Sequence, residues 1–114
     1  MEDLLKSEFL IKSAIKLAQK NGVPIYIRKK GDLDAGCILI KIDLLNGTGK
    51  LLRRNINYSM INNENLIEYT QLHEAKTIKN EEIEKKIISE ISIDQDIWIV
   101  EIEDKHGINY FENF

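Results

Sequence analysis

The sequence predicts an α+β fold: a mostly antiparallel sheet of about five to six strands carrying two helices, in the order αββββαββ. Three observations carry this. Two segments repeat apolar residues with the period of a helix, the stretches between and after them alternate apolar with polar residues, and Gly-, Asn- and Asp-rich turns separate the alternating runs.

From residue 4 to residue 20, Leu4, Leu10 or Ile11, Ala14, Ile15 and Ala18 fall on one stripe, with Lys12, Lys16 and Lys20 on the other side. Asn21-Gly22 ends this first helix and Pro24 prevents its continuation. Val23 to Arg28 is β-branched and aromatic and reads as a first strand. Ile38, Ile40, Ile42 and Leu44 then alternate with Lys41 and Asp43, the period of a half-buried strand, and the first two strands are expected to form a hairpin. Asn46-Gly47 is hairpin-turn chemistry, so a third strand should return antiparallel and end near Ile56. The Asn-rich stretch 57–65 reads as a loop before a fourth strand at Leu66 to Leu72.

Asn80 followed by Glu81-Glu82 has the composition of a helix N-cap and acidic first turn. Ile83, Ile87, Ile88 and Ile91 supply the apolar stripe of this second helix, which should end at Ser89 or Ile91. Ile97 to Val100 is an unbroken apolar run, the pattern of a strand covered on both faces, and it continues through Glu101-Ile102-Glu103. The turn Asp104 to Gly107 should lead to a last strand at Ile108 to Phe111. Trp98 is expected in the core, holding the second helix and this C-terminal hairpin against the sheet, with Glu101 and Glu103 on the opposite face towards solvent.

At 114 residues the chain fits a single domain spanning residues 1–114, large enough to bury a core without disulfide or metal staples. Cys37 is the single cysteine, which excludes an intrachain disulfide framework and a Cys-based zinc cluster and fits the cytoplasm. No window holds the roughly 18 apolar residues of a membrane span, and the N-terminal segment lacks a basic stretch followed by an apolar one, so neither membrane insertion nor secretion is expected. The net charge of −3 conceals an asymmetry: residues 1–58 carry +5 and residues 59–114 carry −8. In a compact fold the two halves lie side by side and offset each other's field.

Two blocks resemble the short bacterial proteins of domain of unknown function 1491. The first runs from Leu5-Lys6-Ser7 to Gly22, then through Arg28-Lys29-Lys30-Gly31-Asp32-Leu33-Asp34-Ala35-Gly36 and Ile38 to Ile42, with Gly47 after it. The second is Asp94-Gln95-Asp96-Ile97-Trp98-Ile99-Val100-Glu101-Ile102-Glu103-Asp104 followed by Gly107. Gly31, Asp32, Asp34, Gly36, Lys41, Asp94, Trp98, Glu101, Glu103, Asp104 and Gly107 are the motif residues, and a structural role is expected of them. The resemblance implies no activity. Residues 53–79 depart from it, being richer in Asn and Lys.

Carboxylates that could hold a hard cation are Asp32, Asp34, Glu101, Glu103 and Asp104, with Asp94 and Asp96 nearby. Asp and Asn also populate turns because their side chains bond the local backbone, and the Gly31 to Gly36 segment has that composition. It fails the EF-hand pattern, since Cys37-Ile38-Leu39 follow where oxygen ligands are needed. Glu103-Asp104-Lys105 with an upstream Asp is a faint match to a metal-dependent nuclease arrangement. Arg28, Lys29, Lys30, Arg53 and Arg54, with Tyr26 and Tyr58 beside them, are the candidate contacts for nucleic acid or another anion. A pI near 5.4 argues against broad electrostatic binding. His73 and His106 have no partner at metal or triad spacing, and no phosphate-binding Gly-rich loop is present. No cofactor is expected. The sequence favours a non-enzymatic binding or accessory protein that forms homodimers. Its rivals are a metal-dependent hydrolase or nuclease using the acidic cluster and a weak nucleic-acid binder.

Overall fold

The computed structural model describes residues 6–34, 36–58, 65–112 and 114. Helix α1 (Ser7–Lys20) is followed by strands β1 (Ile25–Lys29), β2 (Ile38–Asp43), β3 (Thr48–Tyr58), β4 (Asn65–Gln71) and β5 (Ile78–Lys79). Helix α2 (Asn80–Ile93) and strand β6 (Trp98–Glu103) complete the order. The six strands form one sheet in the order β1-β6-β2-β3-β4, with β5 also on β3. Every pair is antiparallel except β2 with β6, which run parallel. The fold is α+β, as the sequence predicts.

Because side chains alternate along a strand, the sheet has two distinct apolar faces. On one, Ile38, Ile40, Ile42, Trp98, Val100 and Ile102 pack with Ile11, Ala14 and Ala18 of α1 and with Phe111. On the other, Leu39, Leu51, Ile97 and Ile99 pack with Ile83 and Ile87 of α2. A helix therefore covers each face, and β6 at the centre is apolar on both sides.

That central position overturns the expected β1–β2 hairpin. β6 lies between the two, pairing Ile25 with Ile102 and Ile38 with Trp98. An unbroken apolar run needs cover on both faces, which an edge cannot give, so the 97–100 segment takes the middle. The 30–37 connection passes over it: Trp98 N–H donates to the Cys37 carbonyl at 2.8 Å and Asp32 N–H to the Asp96 carbonyl at 3.0 Å.

Trp98 is 1% exposed, as expected, but it belongs to the α1 face, whereas its neighbours Ile97 and Ile99 hold α2. The indole Nε1–H donates to the Asp32 carbonyl at 2.6 Å. Gly31 and Gly36 admit the ring, since a Cβ at either would lie 2.7 or 2.8 Å from its Cδ1. Ser7 Oγ–H donates to the Gly36 carbonyl at 2.6 Å and ties α1 to the same loop. The glycine-aspartate block and the tryptophan block of the sequence are two halves of one packed unit.

The last expected strand is replaced by turns through 110–112. Asp104 accepts from the backbone N–H of His106 at 3.0 Å and of Ile108 at 3.2 Å, and Asn109 accepts from that of Phe111 at 2.9 Å. Side chains that consume local donors leave none for a ladder. Helix α2 also differs from expectation: Lys79 is its cap residue, Asn80 is already helical, and it continues to Ile93. Ile88 is 69% exposed, because positions 83, 87 and 91 face the sheet and 88 lies a hundred degrees away. The β2–β3 hairpin is as predicted, with Gly47 at φ 87° in its turn, although β3 runs past Ile56 to Tyr58. Of the expected 57–65 loop, residues 59–64 lie outside the described residues.

Candidate functional site: a charged network under helix α2

The parallel register of β2 and β6 sets Lys41 opposite Glu101 and Asp43 opposite Glu103. Alternation turns all four towards the α2 face, just beyond the apolar patch of Leu39 and Ile99. Glu84, one residue after the buried Ile83 of α2, reaches the same place from above, and Arg28 and Tyr26 reach it from β1. Lys41 and Glu101 are each 6% exposed, so both charges need partners.

They have them. Lys41 Nζ donates to Glu84 Oε2 at 2.7 Å and lies 3.7 Å from Glu101 Oε1. The Arg28 guanidinium donates to both oxygens of Glu84, at 2.8 and 2.5 Å, and to Glu101 Oε1 at 3.1 Å. The Arg28 bond, reinforced by Lys41, holds the Glu84 carboxyl down at about 2 against the opposing effect of burial. Burial first, and then a hydrogen bond to Glu101, pushes the Tyr26 hydroxyl up to about 12.

Asp43, Glu101 and Glu103 are the one group of metal-ligand type among the described residues whose oxygens lie within 4.8 Å of one another. A divalent cation there would compete with cations already in place: Arg28 and Lys41 both lie against Glu101. Asp43 Oδ1 also accepts from Leu45 N–H at 2.8 Å and from the Asn80 amide at 3.4 Å. Chemically, the arrangement fixes α2 to the sheet and leaves a net negative rim.

The metal candidates of the sequence are divided by the fold. Glu101 and Glu103 meet, but with Asp43 instead of the other three. Asp32 accepts from Asp34 N–H at 2.9 Å within its own turn, Asp34 is exposed, and both oxygens of Asp104 serve backbone donors. The five basic positions do not form one surface. Arg28 belongs to the network; Lys29 Nζ donates to the Gln95 and Ile97 carbonyls at 2.5 and 3.1 Å; Lys30 is exposed. Arg53 pairs with Glu90 of α2, whereas Arg54 is buried on the opposite face. His73 accepts from Leu51 N–H at 3.1 Å, a structural contact. Burial pushes the Cys37 thiol up, away from thiolate reactivity.

Sequence reasoning missed Asp43 and Glu84, and placed Tyr26 beside a basic surface where the structure sets its hydroxyl against Glu101. For Asp43 the signal is present, since it alternates onto the face of Lys41. For Glu84 it is absent, because which residue of α2 faces the sheet rim depends on the helix's rotation.

A mixed, mostly antiparallel sheet with one helix on each face, stapled by a loop around a central tryptophan, defines the structural class. The chain belongs to the family described as protein of unknown function (DUF1491), which matches residues 5–112. It is similar to the crystal structure of a DUF1491 family protein from Caulobacter crescentus, with 26% identity over 94% of this chain and 92% of that one and a TM-score of 0.74. It is also similar to the solution structure of a protein from A. tumefaciens, with 27% identity, 90% and 86% coverage and a TM-score of 0.70. Among curated proteins none matches. Among the described residues no helix is long and apolar enough to cross a membrane.

Proposed function

We propose that this chain is a non-enzymatic binding or accessory module of the cytoplasm that works as a homodimer. The observation that supports this best is the fate of its buried charges: Lys41 and Glu101 are bound to each other, to Arg28 and to Glu84. A catalytic acid, base or electrophile must be available to substrate, and these are committed to the fold. The unreactive setting of Cys37 points the same way. Pairing of copies is supported by β1 and β4, which close the sheet at its two ends, each with one neighbouring strand.

The rival reading, a metal-dependent hydrolase or nuclease, draws on the closeness of Asp43, Glu101 and Glu103. The purified chain assayed with Mg²⁺ and with Mn²⁺ on chromogenic phosphomonoesters and phosphodiesters separates the two. No turnover is expected, and a light-scattering mass of twice the chain. Turnover abolished by Glu103→Gln would overturn the reading, and a monomer mass would remove the homodimer from it.

A further inference from the structure

We propose that the outer edge of β4 is a self-recognition surface, on which a second copy of this chain pairs β4 with β4, antiparallel, about a two-fold axis at Tyr69. The two sheets then become one. This deepens the homodimer reading and rests on it, naming the edge and the register.

Alternation of hydrogen bonds along an antiparallel pair settles which backbone groups face outward. Leu72 N–H donates to the Leu51 carbonyl at 3.0 Å, so Leu72, Thr70 and Glu68 turn their backbone groups towards β3, and Gln71, Tyr69 and Ile67 turn theirs away from it. β4 ends the sheet on that side, and among the described residues no turn, loop or cap bond uses these outward groups. A row of unpaired N–H and C=O groups is a template for another strand. The other edge is blunted: β1 has a bulge between Ile27 and Lys29, Lys29 folds back on the Gln95 and Ile97 carbonyls, and Arg28 is bound to Glu84 and Glu101. Exposed apolar surface lies at β4 as well. Ile67 is 36% exposed, and Phe114, 37% exposed, has its carbonyl 3.5 Å from Nη2 of Arg54, the residue opposite Tyr69 on β3.

The charge on the edge selects the register. Bonded and non-bonded pairs alternate, so a two-fold axis must pass through a residue that faces its own copy. An axis at Glu68 sets that carboxylate against itself in the closest kind of pair, where like charges repel. One at Ile67 sets Glu68 opposite Leu66, a residue type with nothing to donate, and Gln71 opposite a position outside β4. With the axis at Tyr69, Ile67 faces Gln71, Tyr69 faces Tyr69, and every outward N–H and C=O of the three finds a partner. Glu68 then faces Thr70, whose Oγ accepts from Asn55 Nδ2 at 2.6 Å and so keeps its hydrogen to donate to the carboxylate. The two-fold makes that contact twice.

The test combines sedimentation equilibrium of the full chain with hydrogen exchange of its isotope-labelled amides. The Ile67, Tyr69 and Gln71 amides are expected to be protected in the dimer and to exchange at least about 10-fold faster on dilution to the monomer. Ile67→Pro removes an outward N–H and no bond to β3, and should weaken the dimer about 10-fold or more. Thr70→Glu, which sets acid against acid, should weaken it about 10-fold, and Thr70→Lys should tighten it by a similar factor. If Ile67→Pro does not fold, the Thr70 pair decides, since Thr70 is exposed and its side chain bonds to Asn55 alone among the described residues. A dimer whose outward β4 amides exchange freely, or in which Thr70→Glu and Thr70→Lys act alike, overturns this proposal and leaves the homodimer standing. A monomer mass overturns both.

Discussion

Replacing Trp98 tests the packing logic of the whole fold, because one side chain joins the α1 face, the centre of β6 and the 30–37 loop. Trp98→Ala empties a site that is 1% exposed. Deleting a buried aromatic of this size costs about 3–5 kcal/mol through lost burial and residual cavity. It also removes the Nε1–H bond to the Asp32 carbonyl, 2.6 Å long, and a bond of that kind contributes about 1 kcal/mol. Trp98→Phe separates the two effects: most of the bulk remains and the donor is lost, so about 1–2 kcal/mol is expected. Urea unfolding followed by far-UV circular dichroism is the assay, since the chain has a single tryptophan and the variants lose its fluorescence. With a slope of about 2 kcal/mol per molar urea, Trp98→Ala should lower the midpoint by roughly 2 M. A domain stable by about 5–15 kcal/mol can lose much of its margin this way. An unchanged midpoint, or a Trp98→Phe variant as unstable as Trp98→Ala, refutes the reasoning.

Gly31→Ala should destabilise by about 2 kcal/mol or more, since the new methyl meets the Asp96 carbonyl and lies 2.7 Å from the Trp98 ring; a thermal melt indistinguishable from wild type contradicts the close approach. Asp104→Ala strips acceptors from the His106 and Ile108 N–H groups and should cost about 2 kcal/mol, with hydrogen exchange quickening first at those two amides. Glu84 titrates at about 2 in the fold against an ordinary 4.5, so its stabilisation is present above pH 4.5 and disappears as pH falls towards 2. Because 38% of its side chain is exposed, solvent screening leaves this at about 1 kcal/mol. Wild type and Glu84→Gln should therefore converge in melting temperature between pH 4.5 and 2, and parallel curves throughout that window exclude the ion pairs as its source.

What could be read from the sequence was what local pattern controls. The helical stripe of Leu10, Ile11, Ala14 and Ala18, the Asn46-Gly47 turn and the doubly apolar run at 97–100 each announce their local structure. Which strand lies beside which is a different matter. β1 and β2 look like a hairpin because they are consecutive; β6 separates them because its apolar run needs cover from both helices. The C-terminal turns misled for a related reason: Ile108 to Phe111 has the residues of a strand, but Asp104 and Asn109 bind its backbone donors first. The network was half legible. Lys41 and Glu101 carry the pattern of side chains on one face, while their pairing with Glu84 depends on how α2 is rotated over the sheet.

Placing β6 between β1 and β2 also sets a timetable for the nascent chain. β2, β3 and β4 follow one another and can pair as they leave the ribosome. β1, made before them, has no strand to bond until Trp98–Glu103 arrive, about 70 residues after Lys29. Closing so long a loop is entropically costly and delays the pairing of β1 until β6 has been made. Until then the apolar stripe of α1 lacks half its floor, and the unfinished protein presents that stripe, beside an unpaired β1, to whatever holds immature chains. A fragment ending at Ile93 should leave the Ile25–Lys29 amides unprotected in hydrogen exchange; protection there would mean that β1 finds a partner before β6 exists.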